Sequence, residues 1–194
     1  MDGDDELTGA ADETVVRAMA GDRESFAELV REHGGAVHAY LARRAGRGVA
    51  DDLLTEVWLR AWRSRGTYDI GWADPRPWLY GIARNVLRAY WRVRADRRGD
   101  PLRLAEDPWP AVDDRLDAGR LRLALTAALS ELGEDYREVV LLVAWEQLAP
   151  AEVALALGLP SSTVRSRLHR ARLILQRSID ASDLTHPDST YQEV

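Results

Sequence analysis

Apolar residues recur along this chain at the three- and four-residue intervals of helices that bury one face. Alternation of period two is scarce, and β-branched runs outside the helical patterns are few, so no sheet is expected. Two helical blocks emerge, at about 13–98 and 120–178. Between them, residues 99–119 hold Pro101, Pro108, Pro110 and a cluster of acids. Proline fixes its own φ and biases its neighbour away from helix, which marks this stretch as a linker. The expected fold class is all-α: two small helical domains joined by a flexible linker, with acidic tails at 1–12 and 179–194.

The first block divides into helices at about 14–20, 25–44, 50–65 and 77–97. They are separated by Gly21-Asp22, by Gly46-Arg47-Gly48 and by a loop at 66–77. The third of these helices turns Leu53, Leu54, Val57, Trp58 and Ala61 inward. Asp52, Thr55, Glu56 and Leu59 fall on its other side, with Trp62 at the border. Such an acidic face with an exposed leucine and a flanking tryptophan suits either solvent or a protein partner.

The fourth helix carries Leu79, Ile82, Val86, Ala89, Tyr90 and Val93 on one face. The opposite face presents Tyr80, Arg84, Asn85, Arg88, Trp91 and Arg92. Guanidinium groups meet phosphates, an amide reads a base edge, and aromatic rings stack on unpaired bases.

The second block contains a helix-turn-helix pattern. Pro150 opens a short helix in which Val153, Ala154 and Leu157 face inward. Gly158 sits where the turn needs a residue tolerant of positive φ. Leu159 plugs the junction, and Ser161 or Ser162 is placed to cap the next helix. Val164, Leu168, Ala171 and Leu175 form that helix's inward stripe. Ser162, Ser166, His169 and Arg170 point outward, flanked by Arg165 and Arg167. A helix so decorated suits the major groove of a duplex.

The net charge of −6 argues against a nucleic-acid partner until its distribution is considered. Residues 1–14 and 180–194 hold ten acids and no arginine, whereas residues 60–98 hold ten arginines against three aspartates. Residues 160–177 add five arginines and no acid. The positive charge therefore lies on the two stretches whose patterns suit DNA. All 26 basic residues are arginine. The chain has no cysteine, which excludes disulfides and thiolate metal sites. His33, His38, His169 and His186 do not cluster with carboxylates at ligand spacing, and there is no phosphate-cradling glycine loop. Neither an enzyme nor a cofactor is expected. Nothing resembles a signal peptide or a membrane span, so a cytoplasmic location and no membrane insertion are expected.

Four segments, in order, resemble the extracytoplasmic-function branch of the bacterial sigma factors. Phe26 through Arg44 resembles the start of region 2. Ala50-Asp51-Asp52-Leu53-Leu54-Thr55-Glu56-Val57-Trp58-Leu59-Arg60-Ala61-Trp62-Arg63 resembles its polymerase-binding helix. Pro77-Trp78-Leu79-Tyr80-Gly81-Ile82-Ala83-Arg84-Asn85 resembles its −10-reading helix. Leu129-Ser130-Glu131-Leu132 through Val139, with the helix-turn-helix, resembles region 4.

The resemblance implies region 2 at 13–98, the linker at 99–119 and region 4 at 120–178. It implies docking on the β′ clamp helices of core RNA polymerase through Asp52, Leu53, Glu56, Val57, Trp58 and Trp62, with the β flap as a further partner surface on the same enzyme. It assigns the melted −10 strand to Tyr80, Arg84, Asn85, Arg88, Trp91 and Arg92, with an extruded base held by the 66–77 loop. It assigns the −35 duplex to Ser162, Arg165, Ser166, Arg167, His169 and Arg170. An anti-sigma factor wedged between the domains is the implied regulator. Two departures stand out. Gly34-Gly35 replace bulkier residues and are expected to weaken their helix, and Ala149 leaves the helix after it without a side-chain cap. The alternative reading is a stand-alone helix-turn-helix regulator whose first block is a sensor or dimerisation module.

Overall fold

The computed structural model describes residues 12–98 and 127–184. Expectations for the linker and for the outer parts of both tails lie outside these residues. The described elements are helical throughout. Helix α1 spans Glu13–Ala20, α2 spans Arg23–Ala45, α3 spans Arg47–Ser64, and α4 spans Arg76–Arg98. A 3-10 turn at Arg65–Thr67 follows α3. After a helical stretch at 127–131 come α5 (Glu134–Ala144), α6 (Pro150–Leu157) and α7 (Ser161–Leu184). Helix α7 thus continues past its expected end at Ser178.

Local chemistry fixes the helix starts. Asp12, assigned above to the tail, is the N-cap of α1: the Thr14 amide donates to its Oδ1 at 2.7 Å. Asp22 caps α2 by accepting from the Ser25 amide at 3.0 Å and from the Ser25 hydroxyl. These bonds from Ser25 hold its carboxyl below the usual range. Helix α6 has no side-chain cap, but Glu152 reaches back and accepts from the Ala149 amide at 2.7 Å, half of a capping box. Ser161 is the first residue inside α7 rather than its cap. The amides of Thr163 and Val164 donate to the Pro160 carbonyl.

Gly34 and Gly35 do not interrupt α2, which runs unbroken. Each glycine costs about 1 kcal/mol relative to alanine. Leu29 and Val37, both nearly inaccessible on either side of the pair, anchor the helix and offset that cost.

The core of the first unit contains Leu29, Val37, Tyr40, Leu41, Val57, Leu79 and Val86. It is continuous with Val139, Leu142, Leu148, Val153, Ala154, Leu157 and Val164 of the second. The two helical units therefore share one hydrophobic core. The contact is closest where α4 crosses α6: a Cβ added at Gly81 would stand 3.0 Å from the Ala156 carbonyl oxygen. Glycine accommodates that approach without either backbone having to shift.

Candidate nucleic-acid interface

The helix-turn-helix forms as its sequence demands. Gly158 adopts the left-handed conformation (φ 64°), turning the chain between α6 and α7. Val164, Leu168 and Ala171 are buried. Ser162, Arg165, Ser166, His169 and Arg170 are exposed along the outer face of α7. Arg167 is half-buried, and its Nη2 lies 2.9 Å from Asp135 Oδ2 at the start of α5. Tyr136, absent from the expected residues, lines the same shallow surface as Ser162, Ser166, Arg167 and Arg170. Arg137 turns away from that surface. Its guanidinium donates to the carbonyls of Leu129, Ser130 and Leu132 at 2.7–3.0 Å and so ties α5 to the preceding helical stretch. Burial lowers its pKa, with Glu134 opposing the shift.

On α4, Asn85, Arg88 and Arg92 are exposed, and Arg84 and Trp91 are half-buried. Two expectations for this helix fail. Tyr80 is only 3% exposed. Its hydroxyl donates to Glu146 Oε2 at 3.0 Å, and burial, reinforced by that carboxylate, pushes its pKa up. The helical projection puts Tyr80 on the polar face. The second unit, far away in sequence, covers it. Val93, expected inward, is 50% exposed among the described residues.

The loop before α4 is built on aromatic rings. Tyr68 is buried between Trp72 and Trp78, with ring centroids 5.8 and 5.7 Å away. Its hydroxyl donates to the Trp72 carbonyl at 2.6 Å. Burial, then the nearby carboxylates Asp74 and Asp69, push its pKa up to about 12. The Trp78 indole N–H donates to Thr67 Oγ1 at 3.3 Å, and Asp69 accepts from the Gly71 amide. Ile70 stands 58% exposed at the tip. Sequence spacing gave no guide to this arrangement.

On α3, Asp52 is exposed, Glu56 is half-exposed, and Glu56 accepts from Arg60 Nε at 2.6 Å. Leu53 and Val57, both carried over from the motif as docking residues, are buried and cannot meet a partner. Both belong to the inward stripe that the periodicity itself marks. Trp58 and Trp62 are half-buried, with their rings edge-on to Phe26 at 6.0 and 5.0 Å. Leu59, 46% exposed, is the apolar residue this face offers.

Between the two units lies a cleft of about 100 Å³. Tyr40, Arg43 and Arg44 of α2, Arg84, Leu87, Arg88 and Trp91 of α4, and Glu134, Asp135, Glu138 and Leu141 of α5 line it. Charges close one wall. The Tyr40 hydroxyl donates to Glu138 Oε1 at 2.9 Å. Arg43 Nη2 donates to Glu146 Oε1. Arg44 lies 3.5 Å from Glu138 and 3.8 Å from Glu146, with its guanidinium 3.7 Å above the Tyr40 ring. Burial works to lower the pKa of Arg44. Glu138, Tyr40 and Glu146 outweigh it, and the net shift is upward.

The fold and its exposed arginine faces define a helical transcription protein built around a helix-turn-helix. Residues 29–97 match the family model for Sigma-70 region 2, and residues 122–175 match that for Sigma-70 region 4. The chain is 35% identical over 176 residues to the ECF RNA polymerase sigma factor SigE of Mycolicibacterium smegmatis, covering 87% of this chain and 66% of that protein. It is 31% identical over 189 residues to the RNA polymerase sigma factor NccH of Alcaligenes xylosoxydans xylosoxydans, covering 90% of this chain and 98% of that one. Among solved structures it resembles CnrH in complex with the cytosolic domain of CnrY, with a TM-score of 0.61 and 27% identity, over 87% of this chain and 96% of CnrH. The chain belongs to the extracytoplasmic-function (ECF) family of RNA polymerase sigma factors. Among the described residues, no helix is long and apolar enough to cross a membrane.

Proposed function

We propose that this chain docks on core RNA polymerase through α3 and selects promoters through α4 and α7. The observation that carries this reading is the exposed row Ser162, Arg165, Ser166, His169 and Arg170, on a helix entered through the left-handed turn at Gly158. In the major groove the outer side chains of that row meet base edges of the −35 duplex and its arginines meet phosphates. Arg84, Asn85, Arg88 and Arg92 track the unpaired −10 strand. The Tyr68–Trp72–Trp78 loop holds an extruded base, which offsets the cost of unstacking it. Asp52, Glu56, Leu59 and the exposed edge of Trp62 form the docking face for the β′ clamp helices, with the carboxylates opposite basic residues. An anti-sigma factor that covers these faces is the proposed regulator, in keeping with the CnrY-bound state of the CnrH neighbour.

The test is transcription in vitro from a promoter library with purified core polymerase. Start-site-selective RNA that depends on this chain is expected. Operator-type duplex binding without polymerase, and no selective RNA with it, would support a stand-alone regulator instead.

A further inference from the structure

Arg65 follows the last residue of α3 and belongs to none of the faces assigned above, yet its side chain and its main chain both touch them. Its guanidinium stands 4.5 Å above the Trp62 ring, and its Nη1 donates to the Trp62 carbonyl at 2.7 Å. Phe26 meets the same ring at 5.0 Å and nearly at right angles. The indole is therefore held by a buried phenyl ring and by a cation over its face. What stays exposed of the half-buried ring is what α3 offers a partner there.

Helix α1 leaves the room for that cation. Gly21 ends α1 in the left-handed conformation, φ 101°. A Cβ there would stand 3.3 Å from Arg65 Nε and 3.4 Å from its Nη2. A cation at the negative end of a helix accounts for the bond to the Trp62 carbonyl. It does not account for a planar group laid over the ring. That placement adds the attraction between a cation and a π face, and the point charge of a lysine reproduces it poorly. The main chain of Arg65 serves separately. The Tyr68 amide donates to its carbonyl at 3.2 Å, which starts the aromatic loop. Side chain and main chain thus answer to two different surfaces.

We propose that Arg65 is a positioning residue for polymerase docking, its guanidinium fixing the Trp62 ring on the α3 face. The proposal rests on the docking role given to α3 above and names the residue that sets the ring. Arg65 acts through Trp62 and needs no contact with polymerase itself. Because the loop is tied to the Arg65 main chain, replacing the side chain weakens docking and leaves promoter choice intact.

The full chain is made with 5-fluorotryptophan, and the Trp62 resonance among the seven tryptophans is assigned by its loss in Trp62→Phe. Arg65→Met keeps the length and apolar contact of the side chain and removes the cation. Arg65→Lys keeps the charge without the planar fork. In fluorine NMR the Trp62 resonance should shift in Arg65→Met, and by less in Arg65→Lys. Affinity for core polymerase should fall about two- to fivefold in Arg65→Met and by less in Arg65→Lys, with unchanged promoter selectivity at saturating core. An unmoved Trp62 resonance, or wild-type core affinity, in natively folded Arg65→Met would overturn the proposal. If Arg65→Met fails to fold, Arg65→Lys decides by the same two readouts. Trp62→Ala separates the two readings. If it binds core as the wild type does, the docking role of this face falls. If it binds weakly while both Arg65 variants bind normally, the positioning role alone falls.

Discussion

Leu59 and Val57 lie two residues apart on α3, and their opposite exposures separate docking from folding. Leu59 is 46% exposed and Val57 is inaccessible. Full burial of a leucine side chain is worth about 1.5–3 kcal/mol. A partner covering the remaining half gains about 1 kcal/mol, or about fivefold in Kd. Leu59→Ala should therefore weaken binding to core polymerase about fivefold and leave the melting temperature unchanged. Val57→Ala removes two buried methyl groups at a cost of about 1–3 kcal/mol. Its melting temperature should fall by several degrees, while the fraction that remains folded binds core normally. Fluorescence anisotropy of a singly labelled chain titrated with core enzyme gives the affinities, and thermal circular dichroism gives the stabilities. Wild-type affinity for Leu59→Ala, or a specific affinity loss for folded Val57→Ala, would refute the assignment of the outer α3 face.

Three further outcomes are expected. On the exposed row of α7, Arg170→Ala should cost about 1–3 kcal/mol against a cognate −35 duplex and relax base preference there. Arg165→Ala should reduce the slope of log affinity against log salt by about one, both read by titration of labelled duplex with the polymerase-bound protein. Gln147 holds φ 55° in the turn before α6. Relief of left-handed strain worth about 1–2 kcal/mol, less about 0.5–1 kcal/mol for glycine's added chain entropy, makes Gln147→Gly more stable by about 0.5 kcal/mol in urea unfolding. Burial lowers the pKa of His33 from 6.5, against the opposing pull of Glu32 and Asp74. The unfolded chain then binds the proton more readily than the folded one. The stability tied to His33 is full above about pH 7 and drains away as pH falls toward its folded value. Urea unfolding at about pH 7.5 and 5.5 should show a smaller acid loss in His33→Gln than in the wild type.

The helix-turn-helix was legible because its signals are local. A glycine at the turn, inward aliphatic residues and an outward arginine row need no knowledge of the rest of the fold. The same holds for the inward stripe of α3, where periodicity placed Leu53 and Val57 correctly and the motif carry-over misplaced them. A motif records which residues recur at a site, not which way each one faces. Tyr80 was illegible for another reason. Its burial depends on Glu146 and on the approach of α6 at Gly81, contacts between parts of the chain that no helical projection joins. Arg137 reads as one more basic residue near a DNA-type helix, yet three backbone carbonyls claim it. The loop at 66–77 gave no period to read, since its order comes from rings meeting edge to face across a turn.

The seam between the halves joins a shared aliphatic core to guanidinium, phenol and carboxylate groups around a glycine. Buried ions of this kind nearly break even, because what they gain from one another they first surrender to water. In this seam the aliphatic side chains supply the attraction, and the charges fix which faces meet.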